Sequence, residues 1–267
     1  MNSWGDRFRL TIWGESHGHQ VGVSIDGVPA GIALSEEDFI HDLDRRRAGA
    51  AGTTPRKESD APHIVSGLYN GFTTGSPLTI EFLNENTRSG DYRNLTVHPR
   101  PSHADLVAQQ KWNGFNDPRG GGHFSGRITL GMVAAGVVAK KILGEGATFT
   151  TDITEIGGCT DKEQWATLIE DAQRSHDSLG GIIECRVGGI PTGLGEPFFD
   201  SVESLVAHLC SPFLRSRVLS SALALQQQRC AARSITTLSY LPRARPRQTT
   251  LVASLAASQT ATRLSLA

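Results

Sequence analysis

The sequence predicts an α+β fold, in which strands and helices mix without a repeating strand–helix–strand unit. Three observations carry this. Phe8–Trp13 alternates apolar and polar side chains before a Gly-rich turn, as a half-buried strand does, and Val21–Ile25 reads as a second strand. Ser35–Arg47 places Phe39, Ile40 and Leu43 at helical spacing, and Ile128–Leu143 carries Ala, Val, Ile and Leu on most faces, as a buried helix does. No regular alternation of the two element types follows, so a parallel doubly wound sheet is not expected.

The elements follow in order. The segment DGVPAGI turns the chain after Val21–Ile25. Ser35 and Asp38 have the Ser-x-x-Asp form of a capping box at the start of the first helix. His63–Gly67 and Pro77–Leu83 read as strands, and Ala104–Trp112 as a helix that Ser102 could cap. After the apolar helix come a short strand at Ile153–Gly157, a helix at Asp161–Ala172 and a strand at Gly181–Val187. Ser201–Leu209 begins a helix that should continue.

The totals bound the possibilities. A chain of 267 residues can bury one large core or two modest ones. No apolar run is long enough to span a bilayer, and MNSWGDRFRLTIWGE lacks the pattern of a secretory signal, so a cytoplasmic location without membrane association is expected. The four cysteines show no CxxC spacing, which speaks against a disulfide framework or a zinc knuckle. His17, His19, His98, His103 and His123 show no HxxxH pair on a helix, so no metal site is expected.

Four loops concentrate the polar chemistry. In Gly14-Glu15-Ser16-His17-Gly18, glycines flank a Ser–His pair directly after a strand; the His suits acid–base work near neutral pH, and a solvated turn is the alternative. Asp44-Arg45-Arg46-Arg47 and the following TTPRKESD offer forked donors to an anion, or form a solvated helix end. Arg100-Pro101-Ser102-His103-Ala104-Asp105 places His103 beside a helix N-terminus, where it is either structural or reactive. Arg119-Gly120-Gly121-Gly122-His123-Phe124-Ser125-Gly126-Arg127 opens the apolar helix with three glycines, the form of an anion nest, with a flexible surface turn as the alternative. It is neither GxGxxG nor a P-loop, so a dinucleotide fold is not supported.

These segments resemble the chorismate synthase family. The resemblance runs through GESHGHQVGVSIDGVPAGI, DLDRRRAG, TTPRKESD, SGLYNGFTTGSPL, RPSHAD, GGGHFSGR, VAAGVVAKKIL, DSLGGIIEC and GLGEPFFDSVESLVAH, in the family's order, as far as Leu209. It implies the family's mixed sheet-and-helix layers and the elimination of phosphate from 5-enolpyruvylshikimate 3-phosphate to give chorismate. It also implies reduced FMN as cofactor, NADPH as a reductant, a small phosphorylated substrate and a homotetramer for the intact protein. By similarity, His17 assists phosphate departure, His103 protonates or holds the reduced flavin, and Ser16 and Ser125 support them. Arg46, His123, Phe124 and Ser125 match cofactor-contacting positions, while Arg45, Arg47 and Arg127 would bind the anionic substrate. Where many members carry an Arg a few residues after the triplet, this chain has Ala50-Ala51-Gly52.

From Cys210 the chain changes character. All 29 glycines and all 27 acidic residues precede it, and Cys210–Ala267 carries eight arginines, no lysine and no acid. The family's motifs after VAH do not appear. Shifting the codons of Cys210–Thr237 by one base permits FSIPAVKGVEFGAGFAAATMRGKEHND, and the same shift over Gln248–Ala261 permits NHAGGILGGITNG. Residues 210–267 therefore read as the family's own gene out of frame, giving a tail foreign to the fold and expected to be disordered. The residues 1–209 stand as the N-terminal part of the domain, with the C-terminal third missing and the chain expected to be inactive. A non-catalytic remnant that binds an anionic ligand weakly is the alternative. Nucleic-acid binding by the arginines is not expected, because the tail's aromatic content beyond Phe is Tyr240 alone.

Overall fold

The computed structural model describes residues 2–47, 58–85, 87, 89–92, 94–95, 97–101 and 103–212, and the backbone of 216–225 and 249–257. The chain divides into two compact units, one reaching Gly144 and one beginning at Glu145.

The first unit is built on an antiparallel sheet of β1 (Ser3–Trp4), β2 (Arg9–Gly14), β3 (Gln20–Asp26), β4 (His63–Ser66) and β7 (Leu78–Leu83), in the order β1-β2-β3-β7-β4. Alternation decides its two faces. Val21, Val23 and Ile25 on β3 and Leu78, Ile80 and Phe82 on β7 are fully buried. The residues between them form a polar face, joined by Ser24–Thr79 at 3.1 Å and by a Gln20 Nε2 donation to Glu81 at 2.8 Å. Helix α1 (Glu37–Arg46) and helix α3 (Leu130–Leu143) complete the core with Phe39, Leu43, Leu130, Val133, Ala134 and Val138. Gly131 lets α3 approach the sheet closely; a Cβ there would lie 3.1 Å from both Gly22 O and Val23 Cβ.

The expected elements of this unit are present, with shifted ends. The first helix starts at Glu37 rather than Ser35, and the Asp38 carboxylate accepts the Ser35 N–H at 2.8 Å. Ile40 is 46% exposed, on the flank of the stripe that Phe39 and Leu43 define. The expected helix 104–112 is α2 (Asp105–Lys111), and the expected cap Ser102 lies outside the described residues. The apolar helix begins at Leu130 because Gly126–Thr129 forms a tighter 3-10 turn ahead of it. A small hairpin of β5 (Leu68–Tyr69) and β6 (Phe72–Thr73) was not expected. Asn70 and Gly71 form its turn with φ of +49° and +79°, the positive pair that an Asn-Gly hairpin turn requires.

In the second unit, β8 (Thr148–Ile156) pairs antiparallel with β9 (Gly181–Gly188). The strand expected at Ile153–Gly157 starts earlier, because Thr148–Thr151 pairs with Gly188–Cys185 on a half-exposed sheet where alternation is weak. Helix α4 (Trp165–Arg174) follows a 3-10 turn whose Asp161 carboxylate accepts the Glu163 N–H at 3.0 Å. Its inner stripe is Trp165, Leu168, Ile169 and Ala172, a spacing of three, four and seven. Helix α5 (Val202–Cys210) is capped by Ser201, whose hydroxyl accepts the Ser204 N–H at 3.3 Å.

Two tail segments, β10 (Ser216–Leu225) and β11 (Thr249–Ala257), extend this sheet in the order β10-β11-β9-β8. Apart from these strands and Cys210–Pro212, the tail expected to be disordered lies outside the described residues. Edge pairing uses backbone N–H and C=O groups, which any apolar run free of Gly and Pro supplies. Such pairing therefore requires no sequence selected for this fold.

Candidate functional site

The first unit brings three of the four polar loops together: the Ser–His turn, the arginine triplet with the segment after it, and the glycine loop. β2 ends at Gly14, whose φ of +96° turns the chain sharply; a Cβ there would stand 2.5 Å from Gln20 O and 2.8 Å from Val21 Cα. The next residues, Ser16 and His17, are 1% and 6% exposed. The turn is thus enclosed, and the alternative of a solvated loop does not hold.

The glycine loop provides the enclosure. Gly120, Gly121 and Gly122 all have positive φ, from +55° to +84°. Gly122 O accepts the Ser16 N–H at 3.2 Å. Gly120 lies against the imidazole itself: a Cβ on it would overlap His17, at 2.6 Å from Nε2, and lie 3.0 Å from Ser16 Oγ. Tyr92 meets the His17 ring edge-on with centroids 4.9 Å apart. His123 donates from Nδ1 to Gly14 O at 2.8 Å, which fixes the orientation of its ring. Ser125 caps the 3-10 turn, its hydroxyl accepting the Arg127 N–H at 3.3 Å.

The arginines divide into two sets. Arg46 is buried, donating to Gly126 O at 2.7 Å and facing Asp60 at 3.7 Å. Arg127 is buried too, bonded to Asp60, to Asn84 Oδ1 at 2.8 Å and to Leu83 O at 3.1 Å. These two knit the loops together. Arg45 and Arg47 are more exposed; Arg45 lies 3.9 Å from Asp42, and Arg47 is paired with Asp44 at 2.6 Å and donates to Ser59 O. His103 is exposed and bonds Pro101 O through Nδ1 at 3.0 Å.

Sequence reasoning passed over four residues of this neighbourhood. Asp60 and Asn84 hold Arg127, and Tyr92 touches His17. Arg100 grips Asp105 through Nε and Nη2 at 2.8 and 2.9 Å, and its Nη2 lies 3.9 Å from where a side chain on Gly121 would begin. Arg100 holds the Asp105 carboxyl below the usual Asp range, and Arg119 does the same for Asp117. The local signals were the RPSHAD segment, which contains both Arg100 and Asp105, and TTPRKESD, which ends in Asp60.

Beside the glycine loop lies a cavity of about 370 Å³, lined by Trp13, Gly14, Glu15, Trp112, His123 and Phe124 among others. Trp112 and Phe124 lie 5.2 Å apart between ring centroids. The walls suit a flat conjugated ring. Glu15 and Asp117 also line the cavity and would repel a phosphate.

The first unit of this α+β chain thus encloses a Ser–His turn, closed by a glycine loop and tied by buried arginines. Residues 8–212 match the family model for chorismate synthase. The chain is 61% identical to a chorismate synthase of Chitinophaga pinensis over 208 residues, covering 78% of this chain and 62% of that protein. It is 42% identical to one of Dehalococcoides mccartyi over 232 residues, covering 77% and 64%. A crystal structure of chorismate synthase shares the fold with a TM-score of 0.67 at 22% identity, over 94% of this chain and 85% of that one. This chain belongs to the chorismate synthase family. It spans just over three fifths of the length of the two relatives named.

Proposed function

We propose that the first unit carries part of the site at which 5-enolpyruvylshikimate 3-phosphate loses phosphate to give chorismate, and that the family's C-terminal segments are needed to complete it. The observation that supports this most is the enclosure of His17 between the Gly120 backbone and Tyr92, at a loop whose three glycines all take positive φ. His17 as an imidazolium would donate its proton to the departing phosphate. Ser16 and Ser125 would steady the ring and the leaving oxygens by hydrogen bonds. Arg45, Arg47 and Arg127 would oppose the charge developing on phosphate. Arg127 would do so from a fixed position, since protein partners already hold it.

Reduced FMN, when bound, supplies an electron-rich partner to a reaction without net redox change. The aromatic cavity fits its ring, with His123 and Phe124 on the wall and Arg46 among the residues the family resemblance assigns to the cofactor. The acidic lining does not fit its phosphate, whose grip we assign to segments absent from this chain. His103, exposed near the start of α2, would protonate or hold the flavin. NADPH would serve as reductant in members that reduce their own flavin. For the 267-residue chain itself we propose no turnover.

The roles of the histidines are tested in a protein whose reading frame has been restored after Leu209. His17→Ala and His103→Ala should each lower kcat by about 10²–10⁴-fold, the usual worth of a general acid or base. Substrate affinity should fall much less. Near-normal turnover in the double variant would remove both assignments.

A further inference from the structure

We infer that Asn84 and Asp60 are positioning residues whose joint effect is to fix the turn carrying Ser16 and His17. The inference rests on reading that turn as the acting part of the site, but its geometry stands without any statement about turnover.

Asp60 is 3% exposed and sits at φ +49°, a left-handed conformation that Asp tolerates better than most residues. A buried carboxylate needs partners, and it has two cations: it accepts from Arg127 Nη1 and faces Arg46 Nη1 at 3.7 Å. The Arg127 fork is fixed by three acceptors, Asp60, Leu83 O at 3.1 Å and the Asn84 side chain at 2.8 Å. A guanidinium only donates, so the Asn84 atom facing Arg127 Nε is the amide oxygen. The NH2 group must then point the other way. There its two hydrogens reach Glu15 O at 3.1 Å and Gly18 O at 2.9 Å, the carbonyls on either side of Ser16 and His17. The Asn84 backbone N–H adds a bond to His19 O at 3.0 Å. One side chain thus transmits the fixed orientation of Arg127 to both shoulders of the turn. Neither Asn84 nor Asp60 is assigned a bond to substrate.

Asn84→Asp separates this role from general packing. The new carboxylate still accepts from Arg127, but it presents oxygen to Glu15 O and Gly18 O where N–H stood. Hydrogen–deuterium exchange on the full 267-residue chain reads the result. The amides of residues 15–19 should exchange about tenfold faster or more, while β3, β7 and α3 stay within about twofold of wild type. Asp60→Asn, which leaves Arg127 without its counter-charge, should loosen the same turn although Asp60 does not touch it. In the unaltered chain both Asn84 side-chain NH2 protons should be protected from exchange, a measurement that needs no variant to fold. Wild-type protection of the turn in Asn84→Asp would overturn the inference, as would equal loosening of β3, β7 and α3 or freely exchanging Asn84 side-chain protons. Failure here leaves the proposed role of His17 standing, because that role is read from turnover.

Discussion

Gly120 shows how one missing Cβ can shape a site. Its φ of +61° is costly for any other residue, and the space a methyl group would need is filled by His17 and Ser16 Oγ. Gly120→Ala should therefore destabilise the chain by about 1–3 kcal/mol and push the imidazole out of its enclosure. Urea unfolding gives the first quantity, and the His17 ring signals in an NMR spectrum report the second. An unchanged midpoint with unmoved signals would show that the loop yields without cost. The two loops that meet here were legible in the sequence, because glycines around a Ser–His pair and ahead of an apolar helix are unusual enough to mark. Their tie was not. Arg127 finds Asn84 and Asp60 across 43 and 67 positions of sequence, and one sequence alone carries no signal for a pairing at that distance. The arginines read as ligands for an anion turn out, at Arg46 and Arg127, to have protein partners already, since burial obliges an arginine to find them.

Among the elements, helix α2 depends on a charged tie at its start. Asp105 lies in its first turn, favourably placed against the helix dipole, and is gripped by Arg100 in a two-point bond. Because the Arg100 side chain is 35% exposed, solvent screens the pair, and Asp105→Asn should cost only about 1 kcal/mol near neutral pH. The sign of the pH dependence follows from the direction of the shift. The Asp105 carboxyl is depressed in the folded chain by Arg100, so its stabilisation is full above the ordinary Asp value of about 3.9 and is lost as pH falls through the lower folded value. Urea midpoints of the two proteins should differ at pH 7 and converge in strong acid. A difference that grew on acidification would contradict the pairing. Strong periodicity made β2, β3, β7 and α1 readable, and an unbroken apolar run made α3 so. The early start of β8 was not, because strands of half-exposed threonines lack clean alternation. The small hairpin could have been read from Asn70-Gly71, a turn signal between two β-prone pairs.

On the scale of the whole molecule, the family is shown by residues 8–212, and the tail remains the feature to explain. We propose that Cys210–Ala267 is the family's gene read one base out of frame. The strands β10 and β11 do not oppose this, since edge pairing asks little of side chains. The nucleotide sequence after the codon for Leu209 should contain an open frame encoding NHAGGILGG or a close variant, offset by one base; an interrupted offset frame would remove the proposal. The consequence for function is tested most directly by phosphate release. The 267-residue chain and its frame-restored counterpart are each supplied anaerobically with reduced FMN and 5-enolpyruvylshikimate 3-phosphate. The restored protein should release phosphate and form chorismate, and the 267-residue chain should do neither. Turnover by this chain within about an order of magnitude of the restored protein would contradict the account, because the site in the first unit would then be complete without the segments that the family encodes beyond it.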